Sequence, residues 1–358
     1  MKKGVVILTG FLVTLVLAGC SLSPVATTPE AVQTYSISKS IWISRDGGRN
    51  WKDSSIASNK STVTDINPLS LAIDPINNRV VYVGLRAGGI MKTINAGESW
   101  EFLTFKTDKI YGLTIDSNNP QTIYVSSVVN NRGKIFKNIA AGATDSWTEI
   151  YTAATNGPLV VYLAMDNKNS QTLYASTSDN QVLKSGDGGV SWRNLFQAQS
   201  PVVKIALDAK DSSLLYLLTQ SGEVFVSNNG GDKFESLTAK ITTAGLYGSG
   251  FGVLETDPTN GRWLYLAGKA GIIRSRDAGE KWEVVLTLNN PKNSPVSALA
   301  ISPQNSREII YGALQATYKS IDEGKTWTPS QFDLPKVVNI LKYDPLDSNI
   351  IYAGFSAK

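Results

Sequence analysis

Six short segments of this chain place an aspartate or asparagine at fixed spacing from a hydroxyl residue, a glycine and an aromatic ring. Ser44 to Trp51 reads S-R-D-G-G-R-N-W, Ser185 to Trp192 S-G-D-G-G-V-S-W, Ser275 to Trp282 S-R-D-A-G-E-K-W and Ser320 to Trp327 S-I-D-E-G-K-T-W. Thr93 to Trp100 (T-I-N-A-G-E-S-W) and Ser227 to Phe234 (S-N-N-G-G-D-K-F) are near copies. Two chemistries fit. Carboxylate oxygens grouped in this way can ligate a hard cation such as calcium. The same side chain can instead accept N–H groups of its own turn. The turn is the expected role. Asp46, Asp187, Asp277 and Asp322 alternate with the uncharged Asn95 and Asn229, and each copy sits in a separate repeat. No metal and no other cofactor is therefore expected. The invariant glycines at 48, 97, 189, 231, 279 and 324 are expected to hold positive φ. The ring that closes each copy is expected to bury its area between neighbouring sheets.

Other chemistry is excluded by what the chain lacks. It has no histidine and one cysteine, Cys20. Ser-His-Asp and Cys-His catalysis, His-containing metal sites and intrachain disulfides are thereby ruled out. The formal charge of +4, or +2 without Lys2 and Lys3, does not suit a nucleic-acid binder.

The elements that position these segments recur as one unit of about 45 residues, a blade-sized period. Each unit opens with a short apolar strand ending in Asp, as in Leu71-Ala72-Ile73-Asp74; Leu299-Ala300-Ile301-Ser302 has Ser instead. A strand centred on tyrosine follows, with Tyr82, Tyr124, Tyr174, Tyr216, Tyr265, Tyr311 and Tyr352 in the seven copies. A third strand such as Gly271-Ile272-Ile273-Arg274 leads into the Asp/Asn turn, and a fourth begins at the tryptophan. No helical periodicity is seen beyond the N-terminal segment. Asn138 to Trp147 is a degraded seventh turn that keeps Gly142 and Trp147.

The chain ends after the second strand of a unit and begins, at Ser38 to Ser55, with a third and fourth strand. The two half-units make one whole. The expected fold is all-β, a seven-bladed β-propeller of four-stranded antiparallel blades over residues 38–358. Its last blade is closed by N- and C-terminal strands, which removes exposed edges.

The Ser/Thr-x-Asp/Asn-x-Gly-x-x-Trp pattern resembles the Asp-box, or bacterial neuraminidase repeat, over nearly the whole chain after the N-terminal segment. The resemblance implies that the boxes lie on one propeller face and that ligands meet the other, built from the second-to-third and fourth-to-first connections. Candidate binding residues there are Arg86, Lys109, Tyr111, Arg132, Tyr151, Tyr247 and Lys269. A second candidate lies on the innermost strands. Two residues before the strand-ending Asp or Ser the units show Ala72, Thr114, Ala164, Ala206, Glu255, Ala300 and Lys342. Glu255 and Lys342 break a run of small residues and are expected at the central channel, as an ion pair or as a polar ligand site.

The N-terminus is an address. Lys2 and Lys3 precede an apolar stretch, Val5 to Leu17, too short for an ordinary spanning helix. Leu17-Ala18-Gly19-Cys20 resembles a bacterial lipobox. The resemblance implies a signal peptide at 1–19, lipidation of Cys20 and stable membrane anchoring by several acyl chains. Residues 20–37, rich in Ser, Thr, Pro and Ala, read as a flexible tether. The expected location is the bacterial cell envelope, and Ser21 favours the outer membrane in a cell with two membranes.

Among known families the sequence is similar to photosystem II stability/assembly factor-like proteins, and more distantly to sortilin-type and xyloglucanase/sialidase propellers. The first similarity implies a non-enzymatic, monomeric, membrane-tethered scaffold for a protein partner, with no nucleic-acid partner. The last implies the alternative, a glycan-binding or glycoside-hydrolysing propeller. Sialidases need an Arg-Ile-Pro segment, which this sequence lacks. Xyloglucanases pair two aspartates across a cleft between two propellers. Asp108 with Asp53 or Asp65 are the candidates here, but no spacing pairs them, and the length suffices for one propeller. No catalytic residue is assigned.

Overall fold

The computed structural model describes residues 35–36, 39–57, 66–105, 107–143, 146–243 and 250–357. Cys20 and the 1–19 segment, most of the expected tether, Asp65 and Tyr247 lie outside them.

Seven four-stranded antiparallel sheets form a ring. Blade 1 runs Pro68–Ile73, Val81–Leu85, Ile90–Thr93 and Glu101–Phe102. Blade 2 follows from Asp108–Ile115 to Trp147–Thr152, blade 3 from Val160–Asp166 to Arg193–Gln197 and blade 4 from Val202–Leu207 to Glu235–Ser236. Blade 5 spans Phe251–Thr256 to Glu283–Val285 and blade 6 Val296–Ile301 to Thr328–Gln331. Blade 7 is composite. Val337–Tyr343 and Ile351–Ser356 come from the C-terminus, and Ile41–Ser44 and Lys52–Asp53 from the N-terminus. Its joint is an ordinary antiparallel pair, Ile41 opposite Gly354 and Ser44 opposite Ile351. Beyond the blades, Tyr35–Ser36 pairs with Ile56–Ala57, and one short helix, Thr238–Thr243, follows blade 4. The helix is a departure from the expected absence of helical structure. Ile241 is its one buried residue and joins the cluster that includes Leu237, so a single apolar side chain anchors a segment that carries no periodic pattern.

Core and turns repeat with the blades. The seven tyrosines of the second strands are each at most 1% exposed, packed where adjacent sheets meet. Cations on third strands lie over several of these rings, as Lys92 over Tyr82 at 5.6 Å and Lys184 over Tyr174 at 5.4 Å. The same lysines donate to carbonyls of the next blade's turn, Lys92 to Ala141 O at 3.0 Å and Lys184 to Gly230 O at 2.7 Å.

The aspartates of the repeated turn are engaged by their own backbone, as expected. Asp46 Oδ1 accepts the N–H groups of Arg49 and Asn50 at 3.1 and 2.9 Å, and Ser44 Oγ accepts that of Gly48 at 2.7 Å. These bonds hold the carboxyl well below its usual range, from 3.8 to about 2. Asn95 makes the equivalent bond to Ser99 N at 3.0 Å without charge. In the degraded copy the Asn138 amide oxygen replaces the hydroxyl and takes Gly142 N at 2.8 Å. All six glycines, and Gly142, have positive φ. At Gly97, with φ +83°, a Cβ would stand 2.2 Å from Ile43 Cδ1, so backbone and packing both demand glycine.

The tryptophans differ from expectation. Trp100 is fully buried, whereas Trp51, Trp147, Trp192, Trp282 and Trp327 are half-buried. Phe105 stacks on Trp147 at 4.0 Å, and Phe332 meets Trp51 edge-on at 5.6 Å. Trp192 Nε1 donates to Ile150 O at 3.2 Å and Trp327 Nε1 to Leu286 O at 2.7 Å, each on the preceding blade.

A second ring of bonds was not expected from the sequence. Each strand-ending Asp caps its own turn, as Asp74 Oδ1 does for Ile76 N and Asn77 N at 2.8 and 2.9 Å. Several also accept a donor from the next blade: Ser170 Oγ to Asp116 at 2.6 Å, Ser212 Oγ to Asp166 at 2.8 Å and Ser306 Oγ to Asp257 at 2.8 Å. Ser302, which replaces the Asp in blade 6, bonds to Ser348 at 2.7 Å.

Candidate functional site

The innermost strands of all seven blades border a central channel with a cavity of about 440 Å³. Side chains reach it because alternate residues of a strand point to opposite sides. Much of the wall is apolar, with Leu71, Leu113, Leu299 and Ile340 among the lining residues. Its polar groups are Lys204, Glu255, Lys342, Tyr111, Tyr162 and Asn339 with a few hydroxyls.

Glu255 and Lys342 both reach the channel, but they are not the ion pair. Glu255 Oε1 lies 2.6 Å from Lys204 Nζ on the preceding blade. Lys204 also stands 5.6 Å over the Tyr162 ring of blade 3. Burial opposes the charge on Lys204, yet the Glu255 carboxylate and Tyr162 raise its pKa above the ordinary lysine value. Lys342, across blade 6 from Glu255, donates to Leu71 O of blade 1 at 3.3 Å. Its side chain is exposed to the channel lumen rather than to bulk solvent. The surrounding protein, followed by the charge of Lys204, lowers its pKa, and Glu255 acts in the opposite sense. Asn339 Nδ2 donates to Pro68 O at 2.6 Å, and its Oδ1 is buried without a partner.

Sequence reasoning missed Lys204. It lies four residues before Asp208, one strand period from the column that holds Glu255 and Lys342. The available signal was a lysine inside the apolar run Val202-Val203-Lys204-Ile205-Ala206-Leu207 of an innermost strand.

The loop-face candidates separate. Arg86 and Lys269 are exposed in second-to-third connections. Their backbone N–H groups donate to the strand entering the same blade, to Asn67 O at 2.9 Å and Gly250 O at 2.7 Å. Arg132 opens a third strand, and its guanidinium is occupied by Ala153 O through Nε and Nη2 at 2.9 and 2.6 Å. Lys109 and Tyr111 lie within the innermost strand Asp108–Ile115, not in the preceding loop. Lys109 is exposed with φ +42°, and Tyr111 lines the channel. Tyr151 belongs to the fourth strand Trp147–Thr152 and packs edge-on against Trp192 at 6.0 Å. These shifts have one cause: the first and fourth strands of blade 2 reach further toward the loop face than their apolar cores announce. Asp53, a candidate carboxylate, caps Ser55 N at 2.9 Å. Among the described residues no three acidic, histidine or cysteine side chains group as a metal site.

No protein-family model and no curated protein sequence matches the chain. Solved structures do match in fold. The chain is similar to the GH74 xyloglucanase from Xanthomonas campestris, with a TM-score of 0.67 and 15% identity over 81% of this chain and 51% of that one. It spans about half the length of that enzyme. It is also similar to YCF48 bound to a D1 peptide, with a TM-score of 0.61 and 15% identity over 81% of this chain and 92% of that one. The WD40 β-propeller domain of Doa1 matches with a TM-score of 0.60 and 12% identity, covering 82% of this chain and 93% of that one. At such identities the likeness is one of fold.

Proposed function

We propose that the chain is an exported lipoprotein, anchored to the membrane through Cys20, whose propeller holds a protein partner on the face opposite the Asp-boxes. The observation that carries this reading is the extent of the structural matches. The likeness to YCF48, a structure with a bound peptide, runs through 92% of that chain, whereas the xyloglucanase is matched over 51%. A hydrolase that works between two propellers would leave its second wall outside this chain. The lipobox-like Leu17 to Cys20 supports a tethered scaffold, and Arg86 and Lys269 are exposed on the face proposed for contact.

The carbohydrate reading keeps one observation in its favour, the higher TM-score to the xyloglucanase. The two readings separate in one experiment. Cross-linking and pull-down from the native membrane are carried out with the wild-type chain, Cys20→Ala and the doubly reversed Arg86→Glu/Lys269→Glu. The scaffold reading expects a stable membrane protein that is lost in both variants. Hydrolysis of β-glucan or a sialoside, abolished by a single carboxylate change such as Asp108→Asn, would instead establish the enzyme.

A further inference from the structure

The central channel contains two lysines and one glutamate, and the pairing is unequal. Lys204 and Glu255 neutralise each other at 2.6 Å. Lys342 has a carbonyl contact at 3.3 Å, which leaves ammonium donors facing the lumen and one positive charge uncompensated there. The geometry points to a binding site for a small organic monoanion, a carboxylate carrying hydroxyl groups, held in the channel by Lys342. The site is distinct from the loop-face contact proposed above and does not depend on it.

Three features select that chemistry. Charge comes first. One uncompensated ammonium matches one carboxylate, whereas a dianion would leave one negative charge without a partner in the lumen. The lysine ammonium is a compact point charge with rotatable donors, which suits a carboxylate oxygen and demands no bidentate fork. Second, Asn339 lines the cavity with its Nδ2 fixed on Pro68 O at 2.6 Å, and Tyr111 and Tyr162 line it as well. These polar side chains offer hydrogen-bond partners to hydroxyl groups on a ligand. Third, the cavity of about 440 Å³ falls in the range of small-molecule sites, and Leu71, Leu113, Leu299 and Ile340 offer apolar wall to a ring or chain. Burial, and after it the charge of Lys204, lowers the pKa of Lys342, and Glu255 only opposes them.

The proposal is tested by calorimetric titration of the full chain in detergent at low salt with glucuronate, glucose and inorganic phosphate. Saturable one-to-one binding of glucuronate is expected, with glucose and phosphate markedly weaker. Lys342→Gln should weaken glucuronate about tenfold or more, because it removes the charged donor. Glu255→Gln should strengthen it severalfold, because Lys204 then adds its charge to the lumen. That opposite pair of changes does not arise from a purely structural ion network. Should Lys342→Gln fail to fold, lysine-ammonium NMR of the wild-type chain replaces it, and glucuronate must shift the Lys342 resonance. Absence of glucuronate binding, binding indifferent to Lys342→Gln, an unmoved Lys342 resonance or a preference for phosphate each overturns the inference.

Discussion

Trp100 of the first blade donates its indole N–H to Ser54 Oγ, 3.2 Å away on the outer strand of the last blade. Ser54 in turn donates to Gly97 O, and Trp100 is the one tryptophan of the repeated turns with no exposed surface. The joint between the first and last blades is thus buried and hydrogen-bonded, with the N-terminal outer strands of blade 7 on one side and blade 1 on the other.

Closure should therefore dominate stability. Deleting residues 38–55 is expected to abolish cooperative folding, since it removes both outer strands of blade 7 and the partner of Trp100. Trp100→Ala should cost about 3–5 kcal/mol. Asn138→Ala, in the degraded turn, leaves the Gly142 and Ala140 N–H groups without their acceptor and should cost about 1–3 kcal/mol. Urea denaturation followed by tryptophan fluorescence measures all three. Equal losses for deletion and point change would exclude a closing role for the N-terminal strands.

The two glycine positions of the repeated turn should respond differently. Gly47 and Gly48 both have positive φ, but Ala96 and Ala278 occupy the Gly47 position in other copies. A Cβ at Gly47 would meet nothing closer than Asn349 at 3.9 Å. Gly47→Ala is expected to be nearly neutral. Gly97→Ala, at the second position and facing Ile43 at 2.2 Å, should cost about 2–4 kcal/mol from strain and displacement together. Thermal melts of the two variants provide the comparison.

The turns should lend acid sensitivity. Asp46, Asp187 and Asp322 have folded pKa values lowered from 3.8 to about 2 by bonds within their turns. A depressed folded pKa adds stability above the unfolded value and loses it as pH falls through the folded one. The contribution is thus present above about pH 4 and fades toward pH 2. The triple change to Asn, already the natural residue in two copies, should flatten the melting temperature across that window. An unchanged slope would remove these aspartates from the explanation.

The channel pair should behave as a unit. Lys204→Met removes the direct hydrogen-bonded partner of Glu255 and should destabilise by about 1–3 kcal/mol. Lys204→Met with Glu255→Leu should recover most of that loss, because two charges and their desolvation disappear together. A double-mutant cycle in urea measures the coupling, and strictly additive losses would show that the pair does not interact.

Much of this architecture was legible in one dimension because it repeats. The tyrosines recur in all seven units, and the strand-ending aspartates and the Ser/Thr-x-Asp/Asn-x-Gly turns in six each, so blade number and strand order could be read from residue type and period. The half-units at the two ends predicted the composite blade for the same reason. Relations inside one turn were equally accessible, since Ser44, Asp46, Gly48 and Asn50 meet through local backbone geometry alone.

Relations between blades were not. Lys204 and Glu255 are 51 residues apart and lie at different strand positions; only the stagger of adjacent innermost strands brings their charges to 2.6 Å. The serine-to-aspartate ring, the placement of Tyr111 in the channel and the partial exposure of most tryptophans have the same origin. Strand period and turn chemistry are properties of contiguous residues, and the sequence determined them. The contents of the channel depend on how seven sheets twist and pack around an axis, and only the tertiary structure decided those.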